Sequence, residues 1–369
     1  MSSCPLLTEL AAATWLPRRQ TYLIGVSGGV DSVSLLHALV QAGYRDLTIC
    51  HLHHGLRGDQ ADLDAKLIAR LASDHGLPLE TGHVDVRALA AAGRCSLETA
   101  GRDARHRFFA RAAARHHCPR VILGHHADDQ FETILMRLFR GAASMGRCGM
   151  QPRQLLRIAP GEPPAASGDE DKSGPDRDPA HAADARELTL LRPLLELPAA
   201  ELTAYALRHR LEFREDHSNR DPAFLRNRVR HQLVPLLRDL FRRDPAPVVL
   251  RLAAMAAEDE SWLHAAAAAE LEQHGSVGDP PAGAAGAGRV STLEVARLNR
   301  LPSPLRRRVV HLWLQGNAVP GIDHAAVTAV LALLQPDPAS GRPARCNLPA
   351  DLQAARTGGR LWLHQLQTS

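Results

Sequence analysis

The chain has 369 residues, 45% of them apolar and 4% aromatic, and a formal net charge of +4. That length accommodates two domains with cores of Leu, Val and Ala, and the mild basicity permits a nucleic-acid partner without requiring one. Six scattered cysteines with no Cys-x-x-Cys pair argue against a disulfide framework and against zinc or iron–sulfur spacings. Met1–Arg19 lacks the charged start and apolar run of a signal peptide, and no stretch approaches the ~20 apolar residues of a membrane span, so a soluble, cytoplasmic protein is expected.

Thr21–Val26 (TYLIGV) is a short β-rich run ending at a glycine-rich turn and predicts a strand. Asp31–Ala42 follows with Val33, Leu36, Leu39 and Val40 on one helical face. The pattern then repeats: strand Asp46–His51, helix Gln60–His75, strand Glu80–Val86, a helix opened by Ser96 and running to Ala114, strand Val121–Gly124, and helix Ala127–Arg140. Arg157–Glu187, rich in Pro, Gly, Asp and Ala, predicts a disordered insertion, because it has too little apolar surface to bury. Leu188–Arg192 predicts a further strand and Pro198–Arg210 a helix. From Arg230 onward helical periodicity dominates, over His231–Leu240, Val248–Gln273, Val290–Gln315 and His324–Leu334, with a Gly/Ala/Pro break at Gly275–Gly288. Ala344–Leu363 alternates like a strand pair around Thr357-Gly358-Gly359.

Strand–helix alternation of this kind implies an α/β fold with a doubly wound parallel sheet. A smaller, mainly helical domain is expected after Arg230, giving domains of 1–230 and 231–369. Ligands bind such sheets at the carboxyl ends of the strands, so chemistry is expected after Val26, His51 and Gly124.

Polar residues are dense at each of those places. In Ser27-Gly28-Gly29-Val30-Asp31-Ser32, two glycines let the backbone amides turn into one concavity at a helix start, which suits an anion. Ser27 and Ser32 can donate to phosphate oxygens, and Asp31 can hold Mg2+. The loop has no Gly-Lys-Ser/Thr ending and is neither a Walker A loop nor a dinucleotide turn. His125, His126, Asp128, Asp129 and Glu132 form a second constellation, fit for a metal or a cationic amine, although Asp at a helix start is also ordinary capping. His51 to Gly58 carries Arg57, which could meet a phosphate. Arg102 and Arg105 lie three apart on one helical face, and Arg226 and Arg230 four apart on another, either as phosphate ligands or as solvated basic faces. The clusters Arg226-Arg228-Arg230 and Arg306-Arg307-Arg308 make Arg228, Arg306 and Arg307 candidates for an RNA backbone, alongside Arg57.

Ser27–Ser32 resembles the S-G-G-x-D-S signature of the PP-loop, or N-type, ATP pyrophosphatases. With His54-Gly55-Leu56-Arg57, Gly124–Gln130 plus Glu132-Thr133, Arg192-Pro193-Leu194-Leu195, Ser218-Asn219-Arg220-Asp221 and Arg226–Arg230, the order and spacing are similar to the tRNA(Ile)-lysidine synthetase family over residues 20–240. The resemblance implies ATP and Mg2+ as cofactors. Its substrates would be free L-lysine and an isoleucine tRNA with a CAU anticodon, whose wobble cytidine is adenylated at the C2 oxygen and then attacked by the lysine amine. It implies catalytic roles for Asp31, Asp129, Arg102, Arg226 and Arg230, a helical tRNA-gripping domain, a homodimer and no membrane. His106 stands where the family carries a tyrosine, and little chain remains after Leu363 for the extra domain of longer members. Two other readings fit the loop: a PP-loop enzyme acting on a small molecule, and a nucleotide- or RNA-binding module without catalysis.

Overall fold

The computed structural model describes residues 4–55, 59–139, 148–158, 187–214, 224–278, 290–335 and 345–365. They form two compact units, Met1–Met136 with Gly149–Leu250, and Arg137–Cys148 with Arg251–Ser369.

In the first unit, α1 (Pro5–Ala12) precedes β1 (Tyr22–Gly25), α2 (Val30–Gln41), β2 (Leu47–His53), α3 (Asp59–His75) and β3 (Leu79–His83). Next come α4 (Val86–Gly93), α5 (Leu97–Arg115), β4 (Arg120–Ile122), α6 (Ala127–Phe139), β5 (Arg153–Arg157), β6 (Glu187–Leu191) and α7 (Ala199–Arg208). A short helix α8 (Leu225–Arg228), a π-helical turn (Val229–Leu233) and α9 (Val234–Phe241) follow. The sheet order is β3-β2-β1-β4-β6-β5, parallel except where β5 runs against β6. The expected doubly wound α/β sheet is therefore present. One apolar layer, with Leu10, Ile24, Leu36, Ile49 and Leu202, covers one face, and Leu23, Phe108, Phe109 and Val121 form another.

β1 pairs with β2 on one side and β4 on the other, so the chain reverses its winding between β1 and β4. A crevice opens at such a switch, beyond the carboxyl ends of the two strands. The segments after β1 and β4 are Ser27–Ser32 and Gly124–Glu132.

Several local expectations are corrected. The strand expected to reach Val86 stops at His83, because Asp85 accepts from the amides of Arg87 (2.9 Å) and Ala88 (3.0 Å) and starts α4. Arg157 and Glu187, expected within a disordered insertion, are paired strand ends of β5 and β6, joined by an ion pair of 3.1 Å; residues 159–186 lie outside the described residues. Residues 231–250, expected in the second domain, pack in the first unit, where Val234 and Ala246 join Phe131, Leu135 and Met136.

The helix α10 (Ala246–His274) leads into the second unit, which adds β7 (Ser276–Gly278), β8 (Val290–Glu294), α11 (Val295–Arg300), α12 (Ser303–Gly316), α13 (His324–Ala332), β9 (Arg345–Leu348), β10 (Leu352–Thr357) and β11 (Arg360–Gln365). The expected helices accompany an antiparallel sheet of order β7-β8-β11-β10-β9. The single helix expected over Val290–Gln315 is instead a strand and two helices. β-branched Val290 and Thr292 favour the strand, and Pro302 forces Leu301 into an extended conformation between the helices. The expected hairpin turns at Gly358 (φ +56°) and Gly359 (φ +77°), two left-handed positions that select glycine. Val309, Trp313, Leu314, Val330 and Leu361 fill this unit's core. No described helix is long and apolar enough to cross a membrane.

Candidate active site

The loop after β1 is held by its own hydroxyls. The Ser27 amide donates to Ser32 Oγ (3.2 Å), Ser32 Oγ donates to the Gly29 carbonyl (3.0 Å), and the two Oγ atoms lie 3.2 Å apart. Gly28 sits at φ +90°, a conformation that side chains rarely adopt. Gly29 caps α2 without a side chain, which leaves the first amides of the helix to meet an anion.

The turn after β4 packs directly on this loop. A Cβ at Gly124 would stand 3.3 Å from the Asp31 carbonyl oxygen, so a glycine is what lets the two loops meet. His126 is buried, with Nε2 3.5 Å from Asp31 Oδ2 and 3.4 Å from Asp129 Oδ2. Its amide also donates to Asp129 Oδ2 (3.2 Å), while the Asp129 amide approaches His126 Nδ1 (3.4 Å), the reciprocal capping box of α6. Helix capping and a link to the nucleotide loop thus coincide in one pair of residues.

The carboxylates are already engaged. Asp129 Oδ1 accepts from Arg226 (3.0 Å) and Arg230 (3.2 Å). Glu132, 2% exposed, accepts from Arg226 Nε (2.8 Å) and Arg230 Nε (2.5 Å). Two acids and two guanidiniums form one neutral quartet, in which the four-residue spacing of the arginines puts both on one face. Burial alone would raise the Asp129 pKa, but Arg226 foremost, then His126, His125 and Arg230, hold it below the ordinary carboxylate value. Among the described residues no group of His, Cys, Asp or Glu is arranged to hold a metal ion, and Arg226 and Arg230 take the places such a metal would need at Asp129 and Glu132. Asp128 Oδ2 accepts from the Ala199 amide (2.8 Å) at the start of α7 and lies 3.7 Å from His126 Nδ1, so it ties α7 to the histidine turn.

The other predicted arginines separate. Arg102 is exposed and its nearest acid is its neighbour Asp103 (3.9 Å), so it does not join the quartet. Arg105, one turn on, does face Arg226. The residue is exposed, and loss of water about its charge, then the Arg226 charge, pulls its pKa below the usual arginine value. Arg228 is exposed, out of phase with Arg226 and Arg230. Arg57 and Ser218–Asp221 lie outside the described residues. In the second unit Arg306 donates to Asn299 (3.3 Å), Arg307 is exposed, and Arg308 is buried against Glu260.

The two adjacent histidines differ. Burial would lower the His126 pKa, but its bond to Asp31 and the charges of Asp129, Asp31 and Asp128 raise it. Burial foremost lowers His125 to about 3; Asp129 pulls the other way, and Arg192, Arg226 and Arg105 add to the lowering. His106 is lowered to about 4 by burial, Arg105 and Arg102. Arg192 was visible in the sequence only as part of a motif. It closes an apolar strand at the sheet's carboxyl edge, and that position was the signal that marked it for the site.

Comparison with known proteins places these residues in a family. A model described as PP-loop domain matches residues 6–237, and one described as TilS substrate binding domain matches residues 293–362. The tRNA(Ile)-lysidine synthase of Geobacter sulfurreducens is 35% identical over 339 residues, covering 91% of this chain and 63% of that protein. The tRNA(Ile)-lysidine synthase of Geobacillus kaustophilus is 31% identical over 356 residues, covering 92% of this chain and 65% of that protein. The chain thus spans less than two thirds of the length of these relatives. Among solved structures, the U34-tRNA thiolase NcsA of Methanococcus maripaludis superposes with a TM-score of 0.50 at 13% identity, covering 69% of this chain and 78% of that one, a likeness of fold. With a PP-loop match across the first unit except its two ends, and the loop and the acid turn facing one another at the sheet's switch point, the chain belongs to the PP-loop family.

Proposed function

We propose that this chain adenylates the C2 oxygen of the wobble cytidine in an isoleucine tRNA with a CAU anticodon, splitting ATP to AMP and pyrophosphate, and that free L-lysine then forms lysidine there. In the second step the lysine ammonium gives up its proton to solvent, the C2–N bond forms as the C2–O bond breaks, and the oxygen leaves on AMP. The observation that carries this reading is the bridge made by His126 between Asp31 in the anion loop and Asp129 in the carboxylate pair. It sets a place for phosphates beside a place for an ammonium group. The relatives' names and the TilS substrate binding domain match support the choice of substrate.

Each residue then has a task. The amides at the start of α2 hold phosphate oxygens. Asp31, about a third exposed, is the carboxylate that would hold Mg2+, an ion that takes one or two carboxylates together with substrate phosphates and would neutralise the departing pyrophosphate. Arg105 meets phosphate charge directly, in the part first expected of Arg102. Asp129 and Glu132 receive the lysine ammonium by exchange with Arg226 and Arg230, which the incoming phosphates attract. That exchange makes ATP the first ligand and lysine the second. Asp129, held at a low pKa, orients the amine and does not deprotonate it. Arg228, Arg306 and Arg307 contact the RNA backbone.

The test is mass spectrometry of the wobble nucleoside after incubating the full chain with ATP, Mg2+, lysine and the tRNA transcript. Lysidine is the expected product. ATP–pyrophosphate exchange that needs no RNA points to a small-molecule PP-loop enzyme, and RNA binding without lysine incorporation points to a module without catalysis; either result overturns the reading.

A further inference from the structure

Arg192 follows β6 and is 6% exposed. Its guanidinium is fixed from three directions. Nη1 donates to the Gln151 carbonyl (2.9 Å), Nη2 to Gln154 Oε1 (3.0 Å), and Nε to His125 Nδ1 (3.2 Å). Its amide donates to the Pro152 carbonyl (2.8 Å). The segment that supplies these acceptors is itself clamped to α6. The Met150 amide donates to Gln130 Oε1 (2.6 Å), and Gln130 Nε2 donates back to the Met150 carbonyl (2.8 Å). The circuit closes on the residue that begins the second motif.

A guanidinium in a protein always carries its protons and has no acceptor. The nitrogen that receives its N–H must therefore present a lone pair. In a neutral imidazole one nitrogen carries the proton and the other accepts, so a lone pair on Nδ1 places the proton on Nε2. We propose that Arg192 is a positioning residue that locks His125 in the neutral Nε2–H tautomer, so that His125 offers the substrate a hydrogen-bond donor and not a base.

The surroundings favour the same state. Protonation of Nδ1 would break the bond from Arg192 and set a second cation against it. Arg226 from α8 and Arg105 from α5 add to that repulsion, and Asp129 on α6 opposes it without prevailing. With Nδ1 turned to Arg192, Nε2–H is left for an oxygen on the substrate, a phosphoryl or carbonyl oxygen that gains negative charge as it reacts. A neutral donor suits that task, since it gives a hydrogen bond without surrendering its proton. Only the identity of that oxygen rests on the proposed function; the tautomer does not.

Two measurements test this. The first is nitrogen NMR of the full chain labelled with 15N-histidine, with the His125 signals assigned by their loss in His125→Gln. One neutral tautomer, protonated at Nε2 and unchanged from pH 5.5 to 8, is expected in the unaltered protein. In Arg192→Met, checked for folding by circular dichroism, both tautomers should appear and the signal should titrate. A wild-type His125 protonated at Nδ1, or titrating in that range, overturns the proposal whether or not the arginine variant folds. The second measurement compares His125→Gln with His125→Asn in single-turnover adenylation. A Gln amide can place its N–H near the Nε2 position, whereas Asn can reach only the Nδ1 position. His125→Gln should stay within about 10-fold of wild type, and His125→Asn should fall about 100-fold in rate with little change in the ATP concentration at half-maximal rate. Equal losses in both variants would remove the donor role. If the wild-type chain proves inactive on tRNA, the proposed function fails while the NMR result still decides the tautomer.

Discussion

His125 and His126 are neighbours in sequence, yet the two sides of the turn after β4 give them opposite electrostatic surroundings. His125 faces Arg192, Arg226 and Arg105 and is held neutral. His126 faces Asp31, Asp129 and Asp128, which favour its charged form. A backbone that alternates direction at a strand end can therefore sort two identical side chains into an anion-seeking and a cation-seeking half of one crevice. The pair His-His carries no such information by composition, and the difference comes from which strands lie on either side.

The strongest way to break the contrast is to remove the acid that neutralises both arginines. Glu132→Ala leaves Arg226 and Arg230 with Asp129 alone in a partly buried site. Removal of one partner from a buried pair costs about 3–5 kcal/mol, and the lower end applies because each arginine remains about a third exposed. Thermal unfolding should show that loss, and lysine incorporation should fall by at least about 1,000-fold, since the proposed ammonium site goes with it. A variant of wild-type stability and activity would show that the quartet is an ornament of the surface.

How much of this was legible in the sequence follows from the range of each interaction. The strands and helices of the first unit were readable because hydrophobic period and turn glycines are local. Ser27–Ser32 was readable because its function lies in one continuous turn. The partition of the arginines was not. Arg102 and Arg105 stand three apart on one face, and only the position of Arg226, about 120 residues further along the chain, decides which of them faces the crevice. Arg192 was likewise invisible as a partner of His125, since their contact joins residues 67 apart. In the second unit Val290–Glu294 matched a helical period by accident, and its pairing with β11 overrode that period.

Arg105→Ala tests the cationic half. Among the described residues Arg105 has no acid partner, so its loss should leave the melting temperature within a degree or two. Adenylation should nonetheless fall by about 100-fold, read as pyrophosphate release. An equal loss from Arg102→Ala, with Arg105→Ala unaffected, would return the role to the residue first expected to hold it.

The same half should be visible in the pH dependence of stability. His125 has a folded pKa near 3, below its ordinary value of 6.5. As pH falls below 6.5 the unfolded chain takes up a proton that the folded chain refuses, so stability declines between pH 6.5 and about 3. At pH 5 the gap of about 1.5 units corresponds to roughly 2 kcal/mol. Asp129 adds to the decline only below its ordinary range near 3.8, where its stabilisation is lost as pH passes through the lower folded value. Denaturant melts at pH 5 and 7.5 should therefore converge in His125→Gln relative to wild type. An unchanged pH slope would mean that His125 is not held neutral in the folded chain.

The smallest effect concerns the clamp behind Arg192. Gly149 lies at φ +65°, and a Cβ there would stand 2.7 Å from Gln130 Oε1, the atom that accepts from the Met150 amide. Gly149→Ala must either strain the left-handed backbone or push Gln130 off its partner, at a cost of about 1 kcal/mol. If the clamp serves the site as well as the fold, its loosening should let Arg192 move and admit the second tautomer of His125, while α6 stays in place through Phe131 and Leu135. The informative result is thus a spectroscopic one. A variant that loses about 1 kcal/mol but keeps a single His125 tautomer confines the clamp to stability, whereas a mixture of tautomers at nearly full stability ties the charge sorting of the two histidines to a glycine more than 20 residues away in sequence.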